Sequence, residues 1–116
     1  HRGTKVYNMF GTSAYDNCAE DCGAEYAYRQ GWTTPEKAIL GGAEWIRNNY
    51  VHSNSYKQNT VYKMRWNPNY MANYGYAAHQ YATDIGWAYK QASTMYELYQ
   101  QIDSYVLSLD IPVYNN

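Results

Sequence analysis

Apolar residues recur at helical intervals along much of the chain. Ile85, Ala88, Ala92, Met95, Tyr99 and Ile102 are spaced three and four apart, which is the repeat of one face of an α-helix. Thr83 is placed to cap that helix, with Asp84 in its first turn near the positive end of the dipole. This is the strongest periodicity in the chain, and it predicts core. A second stripe is formed by Ile39, Ala43, Ile46 and Tyr50. The residues before it form a start signal. Thr33 can cap, Glu36 stands where a capping box needs it, and Pro35 occupies the first turn, where no backbone donor is required. The helix is expected to run to about Asn49. Gly41 and Gly42 inside it cost about 1 kcal/mol each in propensity, which close approach of another helix would explain. Composition predicts an earlier helix over 19–30, ended by Gly31.

Elsewhere the pattern is weaker. Residues 51–60 are polar and read as a loop. Tyr62, Met64 and Trp66 alternate with Lys63 and Arg65, predicting a short strand over 61–66, although that length also admits one helical turn. Asn67-Pro68-Asn69 ends this element, and residues 70–79 read as a connection rich in Tyr and Ala. The segment 110–116 is expected to be an extended surface tail. The fold class is therefore mainly α, with minimal sheet. A length of 116 residues suits one domain, 1–116.

Composition narrows the chemistry. Only 16% of residues are charged, and the net charge is −1. A non-specific nucleic-acid binder would carry a basic stripe, so no nucleic-acid partner is expected. No apolar run reaches the roughly 18 residues of a membrane span, so membrane insertion is not expected either. Sixteen Tyr and four Trp stand beside eleven Asn and six Gln. Rings stack on apolar sugar faces while amides and phenols meet hydroxyls, so this surface suits a neutral polyhydroxylated ligand. The competing reading is that the tyrosines line a small core with their hydroxyls reaching water. Cys18 and Cys22, four residues apart, are compatible with a local disulfide or with two free thiols. A metal site would need further ligands, and His1, His52 and His79 are scattered.

Several blocks occur in a fixed order: Tyr7-Asn8-Met9-Phe10-Gly11, Ala14-Tyr15-Asp16, Gln30-Gly31-Trp32-Thr33-Thr34-Pro35-Glu36, Gly41-Gly42-Ala43, Tyr62-Lys63-Met64-Arg65-Trp66-Asn67-Pro68 and His79-Gln80-Tyr81-Ala82-Thr83-Asp84. In this order the chain resembles the glucosaminidase family of bacterial autolysins, glycoside hydrolase family 73, over about Val6 to Tyr99. The resemblance implies a mainly helical, lysozyme-like domain with a long groove. It implies hydrolysis of the β-1,4 bond between N-acetylglucosamine and N-acetylmuramic acid in peptidoglycan, with no metal or organic cofactor. It also implies a secreted or cell-wall location in a bacterium. In the family the general acid is a Glu in an Ala-Leu-x-x-Glu-[Thr/Ser]-Gly motif on a helix before the Asn-x-Phe-Gly block. That motif is absent here, so the acid is expected upstream of His1, in an N-terminal part of the same domain.

Glycoside hydrolysis needs a proton donor, together with a base or a group that stabilises positive charge across the ring. Asp16 is the first candidate for a second carboxylate, with Glu20, Asp21 and Glu25 as rivals and a solvated helix start as the plain alternative. The resemblance places Tyr81 at the catalytic centre, where its phenol can contact the N-acetyl group; the alternative is a tyrosine packing a helix start. Asn8 and Phe10 are expected on the groove floor. Trp66, Asn67 and Gln80 are expected at the sugar, Trp66 as a stacking platform. Trp32 and Trp45 are expected to pack, Asp84 to serve its helix, and His79 to bond nearby backbone. A non-catalytic wall-glycan binding module, or a muramidase or lytic transglycosylase on the same scaffold, is the alternative function.

Overall fold

Local signals start and stop the helices of the computed structural model, which describes residues 1–115. Its helices are α1 (Ala19–Arg29), α2 (Pro35–Ile46), α3 (Val61–Trp66), α4 (Pro68–Tyr74) and α5 (Trp87–Tyr99). A π-helical turn over Arg47–Val51 prolongs α2. The described residues contain no β-strand. Two compact units divide at Ser53 and Asn54.

In the first unit, a Cys18–Cys22 disulfide spans the first turn of α1, settling the choice between bridge and free thiols. Glu20 and Asp21 lie in that turn and Arg29 in the last, both favourable to the helix dipole. Gly31 follows at φ +71°. The cap of α2 is Thr34, not Thr33: the Thr34 hydroxyl accepts from Lys37 N at 3.3 Å, and Pro35 opens the helix. Ala27, Trp32 and Ala38 form the core, with Val6, Tyr7 and Tyr26 packed against it. The Tyr7 amide donates to the Trp32 carbonyl at 2.9 Å, pinning the entering strand of chain.

The predicted phase of α2 is off by one position. Ile39 is 49% exposed, and Ala43 is exposed as well, whereas Ala38 and Gly42 are buried in their place; Tyr50, at the end of the predicted stripe, is buried as expected. The reason lies in the glycines. A Cβ on Gly41 would stand 2.3 Å from Trp32 Nε1, and one on Gly42 2.3 Å from Phe10 Cδ2. The bare face of α2 thus admits two aromatic rings, not a helix as expected. The rings carry the apolar area that Ile39 was expected to bury.

In the second unit, the Thr60 hydroxyl accepts from Lys63 N at 3.1 Å and starts α3. That cap resolves the ambiguity of residues 61–66 in favour of a helical turn, correcting the predicted strand. Asn67, at φ +48°, ends α3 and leads directly into α4, with Pro68 at its first position. Asn67-Pro68 is therefore a joint between helices. The expected connection over 70–79 begins as α4 and turns out at Gly75, φ +77°.

The last helix begins later than predicted. Asp84 Oδ1 accepts from Gly86 N at 2.9 Å, and Gly86, not Thr83, is the N-cap of α5. α5 packs against α3, yet none of its residues is fully buried. Ile85, Met95 and Ile102 are exposed, which corrects the expectation of core. Periodicity records an apolar face, but burial needs an opposing surface over its whole length. Residues 102–115 have no regular element; a tail was expected only from 110, and residue 116 lies outside the described residues. Asp110 pairs with Lys63 at 2.5 Å, and the Tyr114 hydroxyl meets that of Tyr62.

Candidate active site

The second unit presents Tyr81 from an irregular segment that several side chains clamp to α3. The central clamp is Arg65, only 5% exposed. Its Nε donates to the Asp84 carbonyl at 2.8 Å and its Nη2 to the Thr83 carbonyl at 3.0 Å. Its Nη1 donates to Gln80 Oε1 at 3.1 Å. The guanidinium carbon also lies 3.9 Å from the Trp66 ring centroid, a cation–π contact. Gln80 Nε2 donates to the Trp66 carbonyl at 2.8 Å, and the Tyr81 amide to the Met64 carbonyl at 2.8 Å. Residues 80–84 are thereby held to α3.

Tyr81 is half-buried, its ring 5.0 Å from that of Trp87 and tilted by 54°. Burial pushes its phenol above the usual value, so the hydroxyl keeps its proton at neutral pH and can donate a hydrogen bond. Asp84 is the opposite case. The side-chain bond from Lys90 Nζ, at 2.6 Å, and the Gly86 amide hold its carboxyl below the usual range. It is an anion serving the start of α5, as expected, and is unsuited to donate a proton.

Two residues that the sequence did not single out support this segment from below. One is Arg65. The other is Gln58, a residue of a polar loop with 1% of its surface exposed. Gln58 Nε2 donates to the carbonyls of Lys63, at 2.8 Å, and His79, at 2.9 Å. Its Oε1 lies 2.6 Å from His79 Nδ1. His79 sits at φ +52°, with its ring stacked on Tyr56 at 3.7 Å. Burial lowers its affinity for a proton. Nothing in the local pattern distinguishes Gln58 from its solvated neighbours, whereas Arg65 stood within the aromatic alternation of α3.

Of the expected sugar-binding residues in this unit, Asn67 is 1% exposed and donates to the Ala78 carbonyl at 2.9 Å. Asn67 and Gln80 both bond backbone carbonyls in this structure. Trp66 is half-buried, with Arg65 over its ring.

The first unit holds Asn8, Phe10 and Asp16. Both hydrogens of the Asn8 amide are engaged: Nδ2 donates to the Thr12 carbonyl at 2.9 Å and the Gly23 carbonyl at 3.1 Å. Its Oδ1 accepts from the Thr12 amide at 3.0 Å. Asn8 therefore ties the loop over 8–14 to α1. It also lines a surface depression of about 250 Å³ together with Glu20, one of the rivals of Asp16. Phe10 is half-buried against Gly42, and Asp16 is exposed in the turn before α1. Trp32 and Trp45 pack as expected, Trp45 against Tyr50 at 5.7 Å. A cavity of about 370 Å³ in the second unit, between α3, α4 and the tail, is lined by none of the expected site residues.

No protein-family model matches the chain. The chain is 53% identical over 114 residues to a beta-N-acetylglucosaminidase of Bacillus subtilis (strain 168), covering 98% of this chain and 12% of that protein. It is 47% identical over 112 residues to a bifunctional autolysin of Staphylococcus epidermidis, covering 97% of this chain and 8% of that protein. Among solved structures, S. aureus autolysin E aligns with a TM-score of 0.66 at 44% identity, over 85% of this chain and 40% of that one. A catalytic mutant of autolysin E in complex with the disaccharide NAG-NAM aligns with a TM-score of 0.67 at 43% identity, over 87% of this chain and 42% of that one. The chain thus spans a small part of the curated relatives it matches and less than half of these solved chains.

Proposed function

Because the chain belongs to the glucosaminidase family of bacterial autolysins, we propose that the protein hydrolyses the β-1,4 bond between N-acetylglucosamine and N-acetylmuramic acid in peptidoglycan. The observation that carries this reading is the likeness, at 43% identity, to a structure holding NAG-NAM. The substrate is the wall glycan strand, and the site of action is the bacterial cell wall outside the membrane. No helix among the described residues is long and apolar enough to cross a membrane.

Tyr81 is the catalytic residue proposed in this chain. Its protonated phenol donates to the substrate's acetamido group and orients it toward the anomeric carbon as the glycosidic bond breaks. That route supplies the stabilisation of positive charge that a second carboxylate provides in other glycosidases. Asp16 is the proposed alternative base, with Glu20 as its rival. The proton for the leaving oxygen comes from a Glu expected in the preceding part of the domain, of which these residues are read as the C-terminal portion. Phe10 and Trp66 present ring surface to the glycan. Asn8 in the first unit, and Asn67 and Gln80 in the second, act through the backbone they hold.

The whole protein incubated with purified walls tests the reading. New reducing ends of N-acetylglucosamine are expected. Reducing N-acetylmuramic acid would replace it with a muramidase, and anhydro-muramic ends with a transglycosylase. Binding without cleavage would replace it with a glycan-binding module.

A further inference from the structure

An aromatic cluster in the second unit extends away from Tyr81 along α4. Tyr70 and Tyr74 lie one turn apart on α4, which brings their rings to 4.5 Å. Gly75 then turns the chain in the left-handed region, and Tyr76 folds back edge-on to Tyr70, with ring centroids 5.4 Å apart. The Tyr70 and Tyr76 hydroxyls are 2.7 Å apart. Tyr56 joins behind Tyr70 at 6.1 Å, stacked in turn on His79. Tyr74 and Tyr76 remain 65% and 58% exposed. So much ring surface left in water is informative when it is contiguous and ordered.

The chemistry around it is selective. Residues 69–80 contain no Asp, Glu, Lys or Arg, and His79 is neutral at neutral pH because burial lowers its affinity for a proton. The bond to Tyr76 pushes the Tyr70 phenol up to about 12, so that it too is uncharged. A stacked nucleic acid would need cations beside the rings. A neutral sugar needs ring faces for its axial hydrogens and uncharged hydroxyls for its own.

We infer that Tyr70, Tyr74 and Tyr76, backed by Tyr56 and His79, form a non-catalytic glycan-binding face that holds N-acetylated pyranose units of the wall strand away from the bond being cut. The identity of the sugar rests on the proposed function; the class of ligand rests on the cluster itself. The face retains the enzyme on a polymer after each cleavage, a role that the catalytic centre cannot perform while releasing product.

The test is equilibrium binding of the whole protein to peptide-free wall glycan strands, in the cold where turnover is slow. The pair Tyr74→Ala and Tyr76→Ala is expected to weaken binding about tenfold. The pair Tyr74→Phe and Tyr76→Phe, which keeps the rings, is expected to stay within about twofold of wild type. If the alanine pair lowers the melting temperature, Tyr74→Ala alone carries the test, because that side chain is mostly in water. Unchanged binding by a folded alanine variant, while the wild type still cleaves walls, would overturn the face and leave the proposed function standing. A wild type that neither binds nor cleaves strands would overturn both. A concentration-dependent dimer lost in the alanine pair, with strand binding intact, would assign the rings to self-association instead.

Discussion

Gln58 and His79, 21 positions apart, hold each other at two points: the Gln58 Oε1 meets His79 Nδ1 at 2.6 Å, and the Gln58 Nε2 donates to the His79 carbonyl at 2.9 Å. Two residues beyond His79 stands Tyr81. A buried amide in the loop before α3 therefore sets the backbone that leads to the proposed catalytic phenol. The His79 ring, in contact with Gln58 and Tyr56, is adapted to its neutral form.

Stability is expected to depend on pH through His79. Burial lowers its folded-state affinity for a proton below that of the unfolded chain, whose ordinary value is 6.5. The unfolded state then binds more protons as pH falls below that value, so stability falls with it. The contribution is fully present above the unfolded value and is lost as pH drops toward the folded one. Urea midpoints measured between about pH 8 and 5 should decline in wild type and decline less in His79→Gln. Parallel curves would remove His79 as the source.

Arg65→Lys is expected to destabilise by about 3 kcal/mol. A lysine cannot serve the Asp84 and Thr83 carbonyls and Gln80 at once, and its ammonium would be buried with too few partners. Residues 80–84 would loosen, so wall cleavage should fall further than the unfolded fraction explains. Urea denaturation alongside turnover of the remaining folded enzyme measures both. Wild-type stability would show that the guanidinium fork is not a structural clamp.

Gly42→Ala tests why α2 keeps a helix-weakening pair. In an exposed helix the change would add about 1 kcal/mol of stability. Here the new methyl meets the Phe10 ring at 2.3 Å, and a net loss of about 1–2 kcal/mol is expected. Phe10→Leu in the same chain should recover part of it. A stabilised Gly42→Ala would mean that the Phe10 ring moves aside without cost.

Tyr81→Phe in the whole protein is expected to lower kcat on soluble wall fragments by about a hundredfold, with KM little changed, because only the proton-bearing oxygen is lost. The Trp87 contact is retained by the phenylalanine ring, so the melting temperature should hold. Turnover near wild type would remove the phenol from the chemistry.

The parts of this protein legible in its residues are those governed by neighbours a few positions away. Gly31 closing α1, Pro35 opening α2 and the helical character of α2 and α5 are local facts, and the structure keeps them, though not the burial the intervals implied. The ordered blocks around Asn8, Trp66 and Tyr81 pointed to the glucosaminidases because such runs of identity survive as text. Element type was ambiguous where a local signal admitted two readings. Six residues over 61–66 fit a strand or a turn of helix, and the same Asn67-Pro68 pair can stop a chain or join two helices.

What only tertiary contact decided was the use of each polar side chain and the phase of each apolar one. Asn8, Gln58, Arg65 and Gln80 carry nothing in their spelling to say which carbonyls they reach. For Gln58, Arg65 and Gln80, partners lie 14 to 21 positions away. Glycines 41 and 42 were visible as an anomaly, but the rings of Trp32 and Phe10 against them were not. Backbone conformation follows short-range sterics and capping, whereas burial and hydrogen-bond choice depend on which distant groups the folded chain brings within about 3 Å.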